Sequence, residues 1–166
     1  MEEVNQIDEQ GLKQGFHRFK RMLEGEERGK LVFSVEGEGH YINGKREGYF
    51  LEYYRFPTIL HSVSKWKNGM ITGLYRTWYV NGDLFTKANF SKNAKKCIYK
   101  KMHKNKNVEC EYEFITRIDR ERQKVHPLPN GLHSSWYLSG EIDSKTNFII
   151  GEKEGEEMQF IYNKKL

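Results

Sequence analysis

Residues 92–106 hold Lys92, Lys95, Lys96, Lys100, Lys101, Lys104 and Lys106 with no acid among them, and Tyr99 and His103 are interleaved. Such a stripe could do one kind of chemistry: ammonium groups neutralise phosphates, and rings stack on bases or sit at a lipid headgroup. The plainer reading is a solubilising surface, partly neutralised by Glu109, Glu111 and Glu113 just downstream. Those glutamates alternate as on a solvated strand face. They are expected opposite His103, Lys101 and Tyr99, in weak cross-strand ion pairs. A lysine run without an arginine fork carries little specificity, so nucleic acid is not the expected partner.

Other chemistry is sparse. His17, His40, His61, His103, His126 and His133 show no metal-ligand spacing. Cys97 falls at a turn and Cys110 on an inward face, so both are expected as small buried residues rather than nucleophiles or zinc ligands. The glycines sit at turns and make no phosphate-binding motif. No catalytic residue, cofactor or metal is expected, and the chain reads as a non-enzyme.

The elements that position these residues are legible from composition and periodicity. A chain of 166 residues is one domain or one short repeat array. Its ten Tyr, ten Phe and three Trp suit half-buried pleated surfaces, which points to a mainly β fold. That aromatic content also argues against disorder, despite a strongly negative mean hydropathy. No apolar run is long enough to span a bilayer as a helix. The opening MEEVNQIDEQ lacks the apolar core of a secretory signal, and two cysteines make no disulfide framework. An intracellular, cytoplasmic location is therefore expected. The net charge of +5 is a weak bias towards acidic partners.

Repetition is the strongest signal. Val35-Gly37-Gly39-Tyr41, Leu60-Ser62-Ser64-Trp66, Leu84-Thr86-Ala88-Phe90, Val108-Cys110-Tyr112-Phe114 and Ile142-Ser144-Thr146-Phe148 share one period-2 pattern. Each runs from an aliphatic residue through mostly small ones to an aromatic, as a strand with one buried face does. The closing aromatics are 25, 24, 24 and 34 residues apart. A turn follows, containing Gly44, Gly69 or Gly151 and closing at Gly48, Gly73 or Gly155. A second strand comes next, and a short loop leads into the following unit, so each unit is a hairpin with turn chemistry at both ends.

In the second strands, counted from the closing position, the first and fifth residues are large and are expected to face the core: Tyr49 and Tyr53, Leu74 and Trp78, Ile98 and Met102, Leu132 and Trp136. The sixth residues, Tyr54, Tyr79, His103 and Tyr137, would then form an outward aromatic row. Rings on the face opposite the core suit either a partner surface or cross-strand pairing within the sheet. An insertion at 115–130 lengthens one turn, and a recognition loop or a tolerated surface excursion would both account for it. Residues 1–30 are expected as a partly helical cap. Leu12, Phe16, Phe19 and Leu23 fall at helical spacing, predicting a short capping helix over 4–24 ahead of the array at 31–166.

Tyr41-Ile-Asn-Gly-Lys-Arg-Glu-Gly48-Tyr-Phe resembles the core of a MORN repeat, and Trp66 to Tyr75 and Phe148 to Gly155 resemble it again. Trp-Tyr-x-Asn-Gly at Trp78 to Gly82 and Trp-Tyr-x-Ser-Gly at Trp136 to Gly140 are similar to the variant MORN class. The resemblance covers residues 31–162. It implies an elongated, twisted antiparallel sheet of successive hairpins, and a role in attachment or assembly with no catalytic residues. Some MORN-like proteins are linked to membranes or phosphoinositides. Variant arrays occur in bacterial antitoxin-like proteins and in proteins of large DNA viruses, which adds assembly into a larger particle to the expectations.

The expected function is a non-catalytic protein-interaction or scaffold module, binding another protein or itself. An anionic-membrane binder using the lysine stripe and a toxin-neutralising partner are the alternatives.

Overall fold

A computed structural model describes residues 4–22, 34–55, 58–92, 95–119 and 124–160. The chain forms two compact units, Met1–Asp83 and Leu84–Leu166. The first contains β1 (Gln6–Ile7), β2 (Lys13–Met22), β3 (Ser34–Ile42), β4 (Lys45–Tyr54), β5 (Leu60–Lys67) and β6 (Met70–Trp78), paired in chain order as an antiparallel meander. The second contains β7 (Leu84–Phe90), β8 (Lys96–Met102), β9 (Val108–Asp119), β10 (Lys124–Pro129), β11 (Gly131–Trp136), β12 (Ile142–Ile149) and β13 (Glu152–Gln159). Its order is β7-β8-β9-β11-β12-β13, with β10 paired to the far end of β9. The expected β-hairpin architecture is present in both units.

The N-terminal helix is not. Residues 13–22 are strand β2, preceded by the short β1, and no α-helix occurs among the described residues; residues 23 and 24 lie outside them. Gly11 and Gly15 take φ of 78° and 68°, which no α-helix accommodates. Phe16 and Phe19 consequently project to opposite faces of β2 instead of sharing a helical stripe. The insertion at 115–130 is a β-hairpin arm: β9 runs on to Asp119 and β10 returns, with Lys124 opposite Asp119 and Pro129 opposite Phe114.

The small residues of the first strands exist to receive rings. In the first unit Val35, Gly37, Gly39 and Tyr41 are buried, and a Cβ at Gly39 would stand 2.5 Å from the ring of Phe50. At Gly37 it would run into Phe19. Phe50, 1% exposed, meets Tyr41 edge-on at 5.3 Å and Trp66 at 6.2 Å. The guanidinium of Arg46 covers Phe50 and Trp66 at 4.9 and 4.7 Å from the ring centroids. In the second unit Tyr99 stacks on Tyr112 at 6.2 Å; Tyr112, His133 and Phe148 continue the row at 4.8 and 4.6 Å. Full burial of each large side chain contributes about 1.5–3 kcal/mol.

These rings correct the expected facing of the second strands. Alternation within each strand holds, but its phase is the reverse: Phe50, Glu52 and Tyr54 are buried, while Tyr49 is 55% exposed. The residue packed inwards is the second after the closing position, which is His17, Phe50, Tyr75, Tyr99 or His133. The first and fifth residues point the other way. A bulge recurs at one place in the hairpin, between Glu52 and Tyr53, Lys101 and Met102, and Ser135 and Trp136. The extra residues are His61, Glu109 and Asp143, and each turns towards the packed face. His61 meets the Tyr54 ring at 4.7 Å, Glu109 approaches His103 at 3.7 Å, and Asp143 accepts a hydrogen bond from Ser135 Oγ at 2.8 Å.

Candidate interaction surface

The sixth-position rings, read from sequence as outward, belong to the packed face. Tyr54 is 8% exposed and its hydroxyl donates to the Trp78 carbonyl at 2.9 Å. His103 Nε2 donates to the Trp136 carbonyl at 2.9 Å, and the Tyr137 hydroxyl to the Phe160 carbonyl at 2.8 Å. Tyr79 is half-buried, and its backbone N–H closes the loop on the Asp83 carbonyl at 2.8 Å. Burial, with the Tyr79 phenol as a second cause, raises the Tyr54 hydroxyl above its ordinary value. These residues point to the packed face because the second strands carry the opposite phase to the one periodicity suggested.

The lysine stripe divides. Lys96 bonds Glu113 at 2.8 Å, Lys100 bonds Glu111, and Lys101 bonds Glu109 at 2.7 Å. Lys92 and Lys95 are exposed and lie between β7 and β8 in the chain, and Lys104 is exposed in the loop after β8. Ion pairing was expected here, but in another register: Glu111 lies opposite Lys100 and Glu113 opposite Ile98. Glu109 is not on a solvated face either, since the bulge turns it to Lys101 and His103. Lys96 holds the Glu113 carboxyl below the usual carboxylate value by hydrogen bonding, assisted by Asn130. The two cysteines are buried, as expected, and burial pushes the Cys97 thiol up to about 11. Among the described residues, no three His, Cys, Asp or Glu side chains converge as a metal site requires.

The surface that sequence reasoning assigned to the core is the one left open. In the first unit Tyr49, Leu51, Tyr53, Val63, Leu74 and Trp78 share the outer face, with Leu51 registered against Val63 and Tyr49 against Lys65. In the second unit Ile98, Met102, Leu132 and Trp136 hold the equivalent positions, with Ile98 43% and Leu132 54% exposed. The signal that could have found them is the ring at the second position after Gly48, Gly73, Cys97 and Gly131: Phe50, Tyr75, Tyr99 and His133. Beside this patch in the first unit is an open cavity of about 460 Å³, lined by Arg18, Lys20, Glu36, Glu38 and Tyr53 among others. Arg18 pairs with Glu38 at 3.6 Å and Lys20 with Glu36 at 3.1 Å.

Strand β13 is exposed along its whole length, with β12 its one neighbour among the described residues. Among the described residues no helix is long and apolar enough to cross a membrane. Compared with protein-family models, curated proteins and solved structures, the chain matches none.

Proposed function

We propose that this chain is a non-catalytic binding and scaffold module, a MORN-like hairpin array that recognises another protein through the sheet face turned away from its packed rings. The carrying observation is that each unit has apolar side chains on its own outer face: Tyr49, 55% exposed, in the first, and Ile98 and Leu132, 43% and 54% exposed, in the second. Large apolar side chains gathered on the exposed face of a unit mark an interaction surface, whereas scattered ones do not. The edge of β13, which has β12 as its one neighbour among the described residues, adds a second route, since an edge strand can accept an incoming one. An anionic-lipid reading has less charge to work with, because Lys96, Lys100 and Lys101 already face glutamates.

The test is affinity purification from the native cells with the wild-type chain and with a Tyr49→Ser, Leu132→Ser variant, whose circular dichroism should match. A protein retained stoichiometrically by the wild type and lost by the variant supports the reading. An identical set of proteins from both, or none from either, ends it.

A further inference from the structure

The outer faces of the two units differ in how they treat their cations. In β8–β9 the outward lysines meet carboxylates across the strand: Lys100 is registered with Glu111 and bonded to it, and Lys96 reaches Glu113. In β4–β6 the outward cations meet apolar groups. Lys65 is registered with Tyr49 and lies 5.3 Å from its ring centroid, and Arg76 is registered with Val63. Among the described residues neither has a carboxylate within ion-pair distance, and both are exposed.

We propose that the β4–β6 outer face binds an acidic segment of another protein, whose apolar side chains cover Leu51, Tyr53 and Val63 and whose carboxylates reach Lys65 and Arg76. This rests on the sheet-face reading above and adds the chemistry of the partner. Covering the apolar centre removes water from around the two cations, and charge-assisted hydrogen bonds to carboxylates strengthen as the site dries. Arg76 suits this task because its fork takes a carboxylate through two N–H groups at once.

The centre of the patch favours a protein over a polyanion. Glu36 and Glu38 on the neighbouring β3 are already matched by Lys20, Arg55 and Arg18, so the border neither attracts nor repels strongly. Leu51, Tyr53 and Val63 lie between the border and the two cations, and the phosphates of a membrane surface or a nucleic acid have nothing apolar to lay on them. A protein segment can cover that apolar centre and place its carboxylates over Lys65 and Arg76 at once.

The experiment uses the full chain and fluorescence anisotropy of two short labelled peptides, one of glutamate and leucine, the other of lysine and leucine. Phosphatidylserine vesicles and single-stranded oligothymidylate run as further arms. The glutamate peptide binds and the lysine peptide does not. Lys65→Glu with Arg76→Glu weakens that binding about tenfold or more. Lys65→Gln with Arg76→Gln gives a smaller loss, and Lys104→Glu in the exposed loop gives none. Equal binding of both peptides, or binding indifferent to the charge reversal, overturns the proposal. Vesicles or oligothymidylate binding in place of the peptide, with loss on the same reversal, overturns it in favour of that ligand. If the peptides fail while the Tyr49→Ser, Leu132→Ser variant still loses its co-purifying protein, the acidic chemistry is wrong and the sheet-face reading stands.

Discussion

The Tyr54 hydroxyl donates a hydrogen bond to the backbone carbonyl of Trp78, 2.9 Å away and 24 residues downstream. In the second unit His103 does the same to Trp136 and Tyr137 to Phe160. Each time a ring at the sixth position of one second strand reaches the carbonyl at the fifth position of the next. Within its unit each bond joins consecutive hairpins, which share no direct ladder between their second strands. A polar tip on a buried ring is well suited to this, since the ring packs while the tip satisfies a backbone acceptor.

Tyr54→Phe keeps the ring and removes the donor, leaving the Trp78 carbonyl to find water in a site where the tyrosine is 8% exposed. The expected loss is about 1 kcal/mol. Tyr137→Phe removes a solvent-exposed bond and should cost less. Urea denaturation would check this, with a shifted midpoint at an unchanged slope. A larger loss at Tyr137 than at Tyr54 would contradict the ranking.

Gly15→Ala distinguishes strand from helix by its sign. In a helix the change would stabilise by about 1 kcal/mol. At φ of 68°, as observed, an L side chain is strained and the change should destabilise by about 1–2 kcal/mol. Space is not the cause, because the nearest obstacle to a Cβ is the Gln6 side chain at 3.8 Å. Thermal denaturation of the variant supplies the sign, and a raised melting temperature would be incompatible with β2.

The first strands were legible from their small positions to their closing ring, a pattern with one sensible face, whereas their leading Leu60, Val108 and Ile142 lie beyond the bulge, opposite the outward Tyr53, Met102 and Trp136. Their turns were legible too: Gly44, Gly69 and Gly151 take φ of 73°, 77° and 92°. The second strands were not, because both of their faces carry large side chains. Tyr49, Phe50, Leu51, Tyr53 and Tyr54 are nearly continuous in β4, so hydrophobicity cannot set the phase. What sets it is steric: Gly39 has room for one ring, and Phe50 fills it. The facing of Tyr54, Tyr79, His103 and Tyr137 was misread for that reason. The N-terminal error had a visible antidote, since Gly11 and Gly15 repeat the spacing of Gly44 and Gly48, and of Gly69 and Gly73. Helical spacing of Leu12, Phe16 and Phe19 competed with that pair, and positive φ decided it.

The Cys97 thiol gives the fold an alkaline limit. Burial lifts it from an ordinary value of 9.0 to about 11, against a smaller opposing effect from the Asn89 backbone. A raised folded value means the contribution is complete below pH 9, where folded and unfolded thiols are both protonated. It falls as the pH rises towards 11, where the unfolded thiol ionises first. Wild-type stability should therefore decline across that window more steeply than that of Cys97→Ala, measured by urea titrations at each pH. Parallel curves for the two proteins would show that the thiol is not held neutral.

The Lys96–Glu113 pair tests whether the lysine stripe is engaged in solution. Hydrogen bonding from Lys96 is the largest cause lowering the Glu113 carboxyl, and the separation is 2.8 Å. A lowered folded value means any stabilisation is present above the ordinary carboxylate range and is lost as the pH falls through the folded value. The pair is partly exposed, so the gain is at most about 1 kcal/mol and shrinks with salt. Carboxyl-detected NMR titration should place the Glu113 midpoint below the ordinary value, and Lys96→Met should raise it. A lysine already bound to a carboxylate must give that bond up to reach a phosphate. Lys96→Met should therefore leave any association with phosphatidylserine vesicles unchanged. A Glu113 midpoint at the ordinary value in the wild type would mean that the ladder does not hold in solution. Lys96 would then be free to act as part of an anion-binding surface, and the case against the lipid reading would lose its main support.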